Sequence, residues 1–172
     1  MTALQPADPA PENPDGRRVV VGVDGSESSR HALRWAAYLA DATAGTVEAV
    51  IAWAPHTRFG VMSTGPGGAP PTGNPAADAQ QVLAATIEEV FGTHRPAGLL
   101  LSVRQGNPAQ LLIEASRSAQ LLVVGSRGHG GFAGLLLGSV SAACSAHARC
   151  PVVVLHGDTP PPTPSGASAL AQ

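Results

Sequence analysis

An α/β fold, with a parallel sheet of five strands and helices on both faces, is what this sequence predicts, and three observations carry it. Short β-branched runs alternate with longer segments of helical period. The runs are apolar on both faces, as strands buried between two helical layers are. Two of them end in loops rich in glycine, serine and aspartate, at the sheet end where such folds place ligands. With 172 residues, 44% of them hydrophobic, the chain has the material for one domain with a substantial core.

Taken in order, residues 1–16 hold four prolines and no apolar run, and read as a disordered tail. Arg18 to Val23 is the first strand, and Asp24-Gly25-Ser26 turns it into a helix from about Glu27 to Thr43. Leu33, Ala36, Ala37 and Ala40 share one face of that helix, and Gly45 is the expected stop. Thr46 to Trp53 is the second strand. Pro55 to Pro75 is crowded with glycine and proline, so it is a long connection that either covers a ligand or is loose. Asp78 to Phe91 places Leu83, Ile87, Val90 and Phe91 at helical spacing. Leu99 to Arg104 is the third strand. Asn107-Pro108, an N-cap followed by proline at the first helical position, opens a helix to about Ser118. Leu121 to Val124, a helix from Gly138 or Ser139 to Ala148, and Val152 to Leu155 complete the alternation. Residues 158–172 read as a second disordered, proline-rich tail, leaving 17–157 as the folded domain.

Composition excludes several functions. A net charge of −2 offers no basic field for nucleic acid or an anionic membrane. All ten positive side chains are arginines, so a lysine-bearing phosphate loop and Schiff-base chemistry are ruled out. Cys144 and Cys150 lack a partner motif and read as buried thiols, and no histidine pair has metal-ligand spacing. Trp35 and Trp53 read as core. His129 has no nucleophile and orienting acid to serve, so no catalytic residue is assigned. Without a signal peptide or a long apolar span, the expected location is the cytoplasm.

The chemistry-bearing stretch is Val123-Val124-Gly125-Ser126-Arg127-Gly128, then nine residues, then Gly138-Ser139-Val140-Ser141. A strand running into glycines and a helix start is suited to phosphate, because backbone N–H groups and the positive end of the helix dipole converge there. Ser139 and Ser141 add hydroxyls, and Arg127 can neutralise a phosphate or serve as a solvated loop cation. Asp24, before Gly25 and Ser26, is suited to a ligand or to a turn and helix cap. If the first and fourth strands are neighbours, as in the order 3-2-1-4-5, these loops share one crevice. Patterning alone leaves that order open.

From about Arg17 to His156 the chain resembles the universal stress protein family. The resemblance rests on V-V-V-G-V-D-G-S-E-S-S, on V-V-G-S-R-G-H-G-G-F-A-G-L-L-L-G-S-V-S and on C-P-V-V-V-L, in the family's order. It implies an open five-stranded parallel sheet of order 3-2-1-4-5, Rossmann-like, of the adenine nucleotide alpha hydrolase-like kind. In the family's nucleotide-binding branch it also implies bound ATP. Asp24 then matches the acidic residue beside the nucleoside, and Ala52 the small residue lining the adenine pocket. Val124, Gly125 and Gly128 match positions below ribose and phosphates, and Gly138, Ser139, Val140 and Ser141 those that close around the phosphate chain. Mg²⁺ would be held mainly by the phosphates, since Asp24 is the evident nearby carboxylate. A homodimer through the last strand and an unidentified regulatory partner are implied too. Gln120 departs from the family's aspartate before the fourth strand, and the segment from Arg58 to Pro75 is no family motif.

Three functions follow: an ATP-binding regulatory protein with slow or no hydrolysis, which is the expectation, a weak ATPase or nucleotidyl enzyme, or a cyclic AMP binder. The second needs a general base or metal-binding acids that the motif does not supply.

Overall fold

The computed structural model describes residues 17–55, 73–128 and 137–162. The 1–16 tail, most of the glycine- and proline-rich connection, His129 and the end of the C-terminal tail lie outside the described residues. Five strands, β1 (Arg18–Gly22), β2 (Thr46–Trp53), β3 (Leu100–Gln105), β4 (Leu121–Gly125) and β5 (Val152–Leu155), form one parallel sheet of order β3-β2-β1-β4-β5. Four helices, α1 (Glu27–Ala42), α2 (Pro75–Phe91), α3 (Pro108–Ala115) and α4 (Ser139–His147), join them, with a short 3₁₀ turn at Ser116–Ser118.

Alternation along each strand sends side chains to two cores. Val19, Val21, Val47, Ala49, Ile51 and Val123 pack beneath α1 and α2, while Val20, Val50, Leu122 and Val124 meet Leu112 and Ala115 of α3 and Cys144 of α4. Central β1 is buried on both faces, as its unbroken valine run requires.

Several boundaries differ from expectation, most by a single residue. Helix α2 begins at Pro75 rather than Asp78, because Asn74 caps it by accepting from Ala77 N at 3.3 Å and Pro75 occupies the first turn. Strand β3 is shifted one residue, to Leu100–Gln105. Helix α1 ends at Ala42, and the left-handed residue of its terminal motif is Ala44, at φ 50°, not Gly45. Gly45 N reaches back to Ala40 O at 2.7 Å, and a β-carbon on Gly45 would strike the Arg17 carbonyl.

A charged cluster lies under α3. Glu48, wholly buried in β2, takes Arg104 Nη2 at 3.0 Å on one oxygen and has Arg18 Nη1 3.1 Å from the other. The Arg18 approach is an ion-pair contact without hydrogen-bond alignment, since that Glu48 oxygen and Arg18 Nε have no hydrogen-bond partner. Arg18 Nη2 also donates to Ser118 Oγ at 2.7 Å, fastening β1 to the 3₁₀ turn. Removing either sign alone would strand a buried charge.

Candidate functional site

At the carboxyl end of the sheet, adjacent strands β1 and β4 deliver the two glycine loops side by side, with Val21 opposite Val123 in the ladder. Strand order reverses here, β1 leading back to β2 and β4 onward to β5, which is the topology at which such folds place a ligand crevice beyond the strand ends.

Asp24 is exposed at the end of β1. Its Oδ1 accepts from Ser26 N at 2.9 Å and from Ser26 Oγ at 2.5 Å, fixing the turn into α1. Ser26 in turn caps α1 by accepting from Ser29 N at 3.2 Å. The turn role foreseen for Asp24 is therefore realised at one oxygen. The other oxygen faces Gly128, where a β-carbon would lie 2.5 Å from it. Gly125 packs on the first turn of α1, with a β-carbon there 2.9 Å from the Ser28 backbone. Both glycines permit close approach, and the loops of β1 and β4 touch because of it.

The second half of the motif folds onto the first. Gly138 N donates to Ser126 O at 2.7 Å, bringing the start of α4 against the loop after β4. Ser141 is buried, and its Oγ lies 3.1 Å from Ser126 O and 3.0 Å from Gly138 O. Its hydroxyl is engaged inside the loop rather than turned outward as a donor, whereas Ser139 is exposed. Val124 and Val140 send their side chains to the core shared with Cys144. Arg127 and Gly128 are exposed. Ala52 sits one strand away near the end of β2, half-buried and paired with Arg104.

Helix termini distinguish this place. Ser26, Asn74 and Asn107 cap α1, α2 and α3 with side-chain oxygens, but α4 starts at Gly138 with no side-chain cap. Its first N–H groups carry the positive end of the helix dipole toward the crevice. No cluster of three or more potential metal ligands occurs among the described residues. Burial pushes the Cys144 thiol up to about 11, and raises that of Cys150 against an opposing backbone hydrogen bond, so neither is poised as a nucleophile. No helix among the described residues is long and apolar enough to cross a membrane.

Sequence reasoning missed the Arg18–Glu48–Arg104 cluster, although its signal was present as charges inside apolar runs. It also missed the tie between Trp35 and the segment after β5.

The architecture defines a Rossmann-like α/β domain with its crevice at the switch point between β1 and β4. The universal stress protein family model matches residues 16–156, and the chain belongs to that family. A universal stress protein of Mycobacterium tuberculosis (strain ATCC 25618 / H37Rv) is 36% identical over 142 residues, covering 83% of this chain and 46% of that one. One from Mycolicibacterium smegmatis is 34% identical over 150 residues, covering 81% and 48%. The chain thus spans about half the length of these curated relatives. Among solved structures, the protein UspA from Lactobacillus plantarum superposes with a TM-score of 0.64 at 20% identity, covering 81% of this chain and 97% of that one, a likeness of fold. A universal stress protein in complex with cAMP superposes with a TM-score of 0.60 at 27% identity, covering 81% and 96%.

Proposed function

We propose that this protein is a nucleotide-responsive regulator that binds ATP in the crevice between β1 and β4, with slow or no hydrolysis. The observation that carries this reading is the uncapped start of α4 at Gly138, hydrogen-bonded onto the loop Gly125 to Gly128. Phosphates there would take the N–H groups of Ser139, Val140 and Ser141, the exposed Ser139 hydroxyl and the Arg127 guanidinium. Ser141 would act indirectly, by holding the two loop halves together. Val124, Gly125 and Gly128 would form the floor, and Asp24 and Ala52 would meet the nucleoside. Mg²⁺ would ride on the phosphates, because Asp24 already spends one oxygen on the turn. A helix-dipole contact is worth about 0.3–1 kcal/mol and micromolar affinity about 8 kcal/mol, so adenine burial and several N–H bonds must act together.

Slow turnover fits the donor set of the described residues, which stabilises charge and includes no placed base. Among the described residues strand β5 pairs only with β4, and its four apolar residues are all half-buried, which supports a homodimer through that edge. A cytoplasmic protein with a regulatory protein partner is the setting this reading implies.

Cyclic AMP is the second reading, favoured by the structural relative in complex with cAMP. Competition separates the two: fluorescent ATP displaced by ATP at far lower concentration than by cyclic AMP supports the first, and the reverse order supports the second. Asp24→Ala should lower affinity for ATP more than for inorganic triphosphate. Equal losses for both would remove Asp24 from the nucleoside.

A further inference from the structure

Beyond Leu155 the chain turns back onto the domain. Gly157 takes φ 68°, a left-handed value open to glycine without strain, and redirects the backbone from the end of β5 toward α1. There the carbonyl of Thr159 accepts a hydrogen bond from Trp35 Nε1 at 2.9 Å, across 124 residues of sequence. Trp35 meets Tyr38, one turn further along α1, edge to face, with ring centroids 5.8 Å apart and planes at 81°. The chain has two tryptophans, one tyrosine and three phenylalanines, so this pairing concentrates scarce aromatic surface on the flank of one helix.

What reaches that flank is the start of a proline run, Thr159-Pro160-Pro161-Pro162. Proline fixes φ and pushes the preceding residue to extended backbone, so such a segment is held near the polyproline II form before it docks and loses little entropy in doing so. A polyproline II helix makes no internal hydrogen bonds, and aromatic surfaces recognise it by packing rings on prolines while a donor takes one of its open carbonyls. The donor half of that recognition occurs here: the indole N–H takes the carbonyl of the residue just before the first proline, and of the three prolines that follow Pro161 is half-buried while Pro160 and Pro162 stay exposed.

We propose that the Trp35–Tyr38 flank of α1 is a polyproline-binding surface whose resident ligand is the chain's own Thr159–Pro162 segment. The segment straps the end of edge strand β5 to α1. The surface it covers takes a proline-rich peptide when the strap is removed.

The test uses the full chain carrying Trp53→Phe, which leaves Trp35 as the single indole emitter. Replacing Pro160, Pro161 and Pro162 together with glycine changes a segment outside every strand and helix, so the fold is retained. The emission of Trp35 should shift to the red and acrylamide quenching should rise about twofold as the indole meets water. A synthetic peptide of residues 157–166 should reverse both changes in that variant and leave the parent, whose surface is covered, unaltered. A peptide of equal length with glycine for proline should do neither. Unchanged emission on loss of the prolines would overturn the strap. Equal binding of the two peptides would overturn the polyproline preference, and binding to the parent as tight as to the variant would overturn residence.

Discussion

Helices α3 and α4 pack side by side on one face of the sheet and start at the same end of it, after β3 and β4, yet their N-termini are closed in opposite ways. Asn107 accepts from Gln110 N at 3.2 Å, and Pro108 removes a donor that would otherwise need a partner. At α4 the cap position is Gly138, which has no side chain to offer, and the neighbouring group is the loop after β4. The first terminus is finished by the chain itself. The second presents its donors to the crevice, where an anion would complete it. On the proposed reading, local stability and ligand affinity rest on different residues, and substitutions can pull them apart.

The largest effect belongs to Gly128→Val. Its branches would enter the space facing the Asp24 carboxylate and narrow the phosphate path. ATP affinity should fall at least about a hundredfold, some 2.7 kcal/mol, with the circular dichroism spectrum unchanged. Gly138→Asp sharpens the comparison by making α4 resemble α3. A β-carbon at Gly138 finds ordinary contacts, the nearest atom being Ser126 O at 3.5 Å, so the side chain fits. Its carboxylate should stabilise the unliganded protein by about 0.5 kcal/mol in thermal melts while weakening ATP binding about tenfold, through occupation of the donors and repulsion of phosphate. Asn107→Ala is the converse. It should cost about 1 kcal/mol in denaturant melts and leave the calorimetric ATP affinity untouched; a matching loss of affinity would end the distinction between the two termini. Smallest is Ala44→Gly at the far end of α1, where relief of the left-handed alanine should add about 0.5–1 kcal/mol of stability without touching the crevice.

Much of this was legible in the chain because local signals agreed. The V-V-V-G run, Asn107-Pro108 and the apolar spacing of Leu83 and Ile87 each had one physical solution, and strand and helix positions followed. Errors arose where two signals competed. Asn74-Pro75 opens α2 but follows so much glycine and proline that it reads as more loop. Gly45 seemed the helix stop, yet the left-handed turn falls one residue earlier, and Gly45 is needed for its close approach to Arg17. Strand order, the Arg18–Glu48–Arg104 cluster and the Trp35–Thr159 bond depend on contacts between distant segments, which periodicity does not encode. Within the site, the motif placed Gly125, Gly128 and Gly138 together, but the inward engagement of the Ser141 hydroxyl follows only from the way α4 folds back on Ser126.

The central claim is that the crevice between β1 and β4, completed by the open start of α4, holds a nucleotide. Its most direct test is a calorimetric titration of ATP with Mg²⁺ into protein stripped of bound nucleotide, run in parallel on Gly138→Asp. Saturable binding at one site per chain, weakened about tenfold in the variant, is the expected result. No heat from a folded sample, or the same affinity in both proteins, would contradict it.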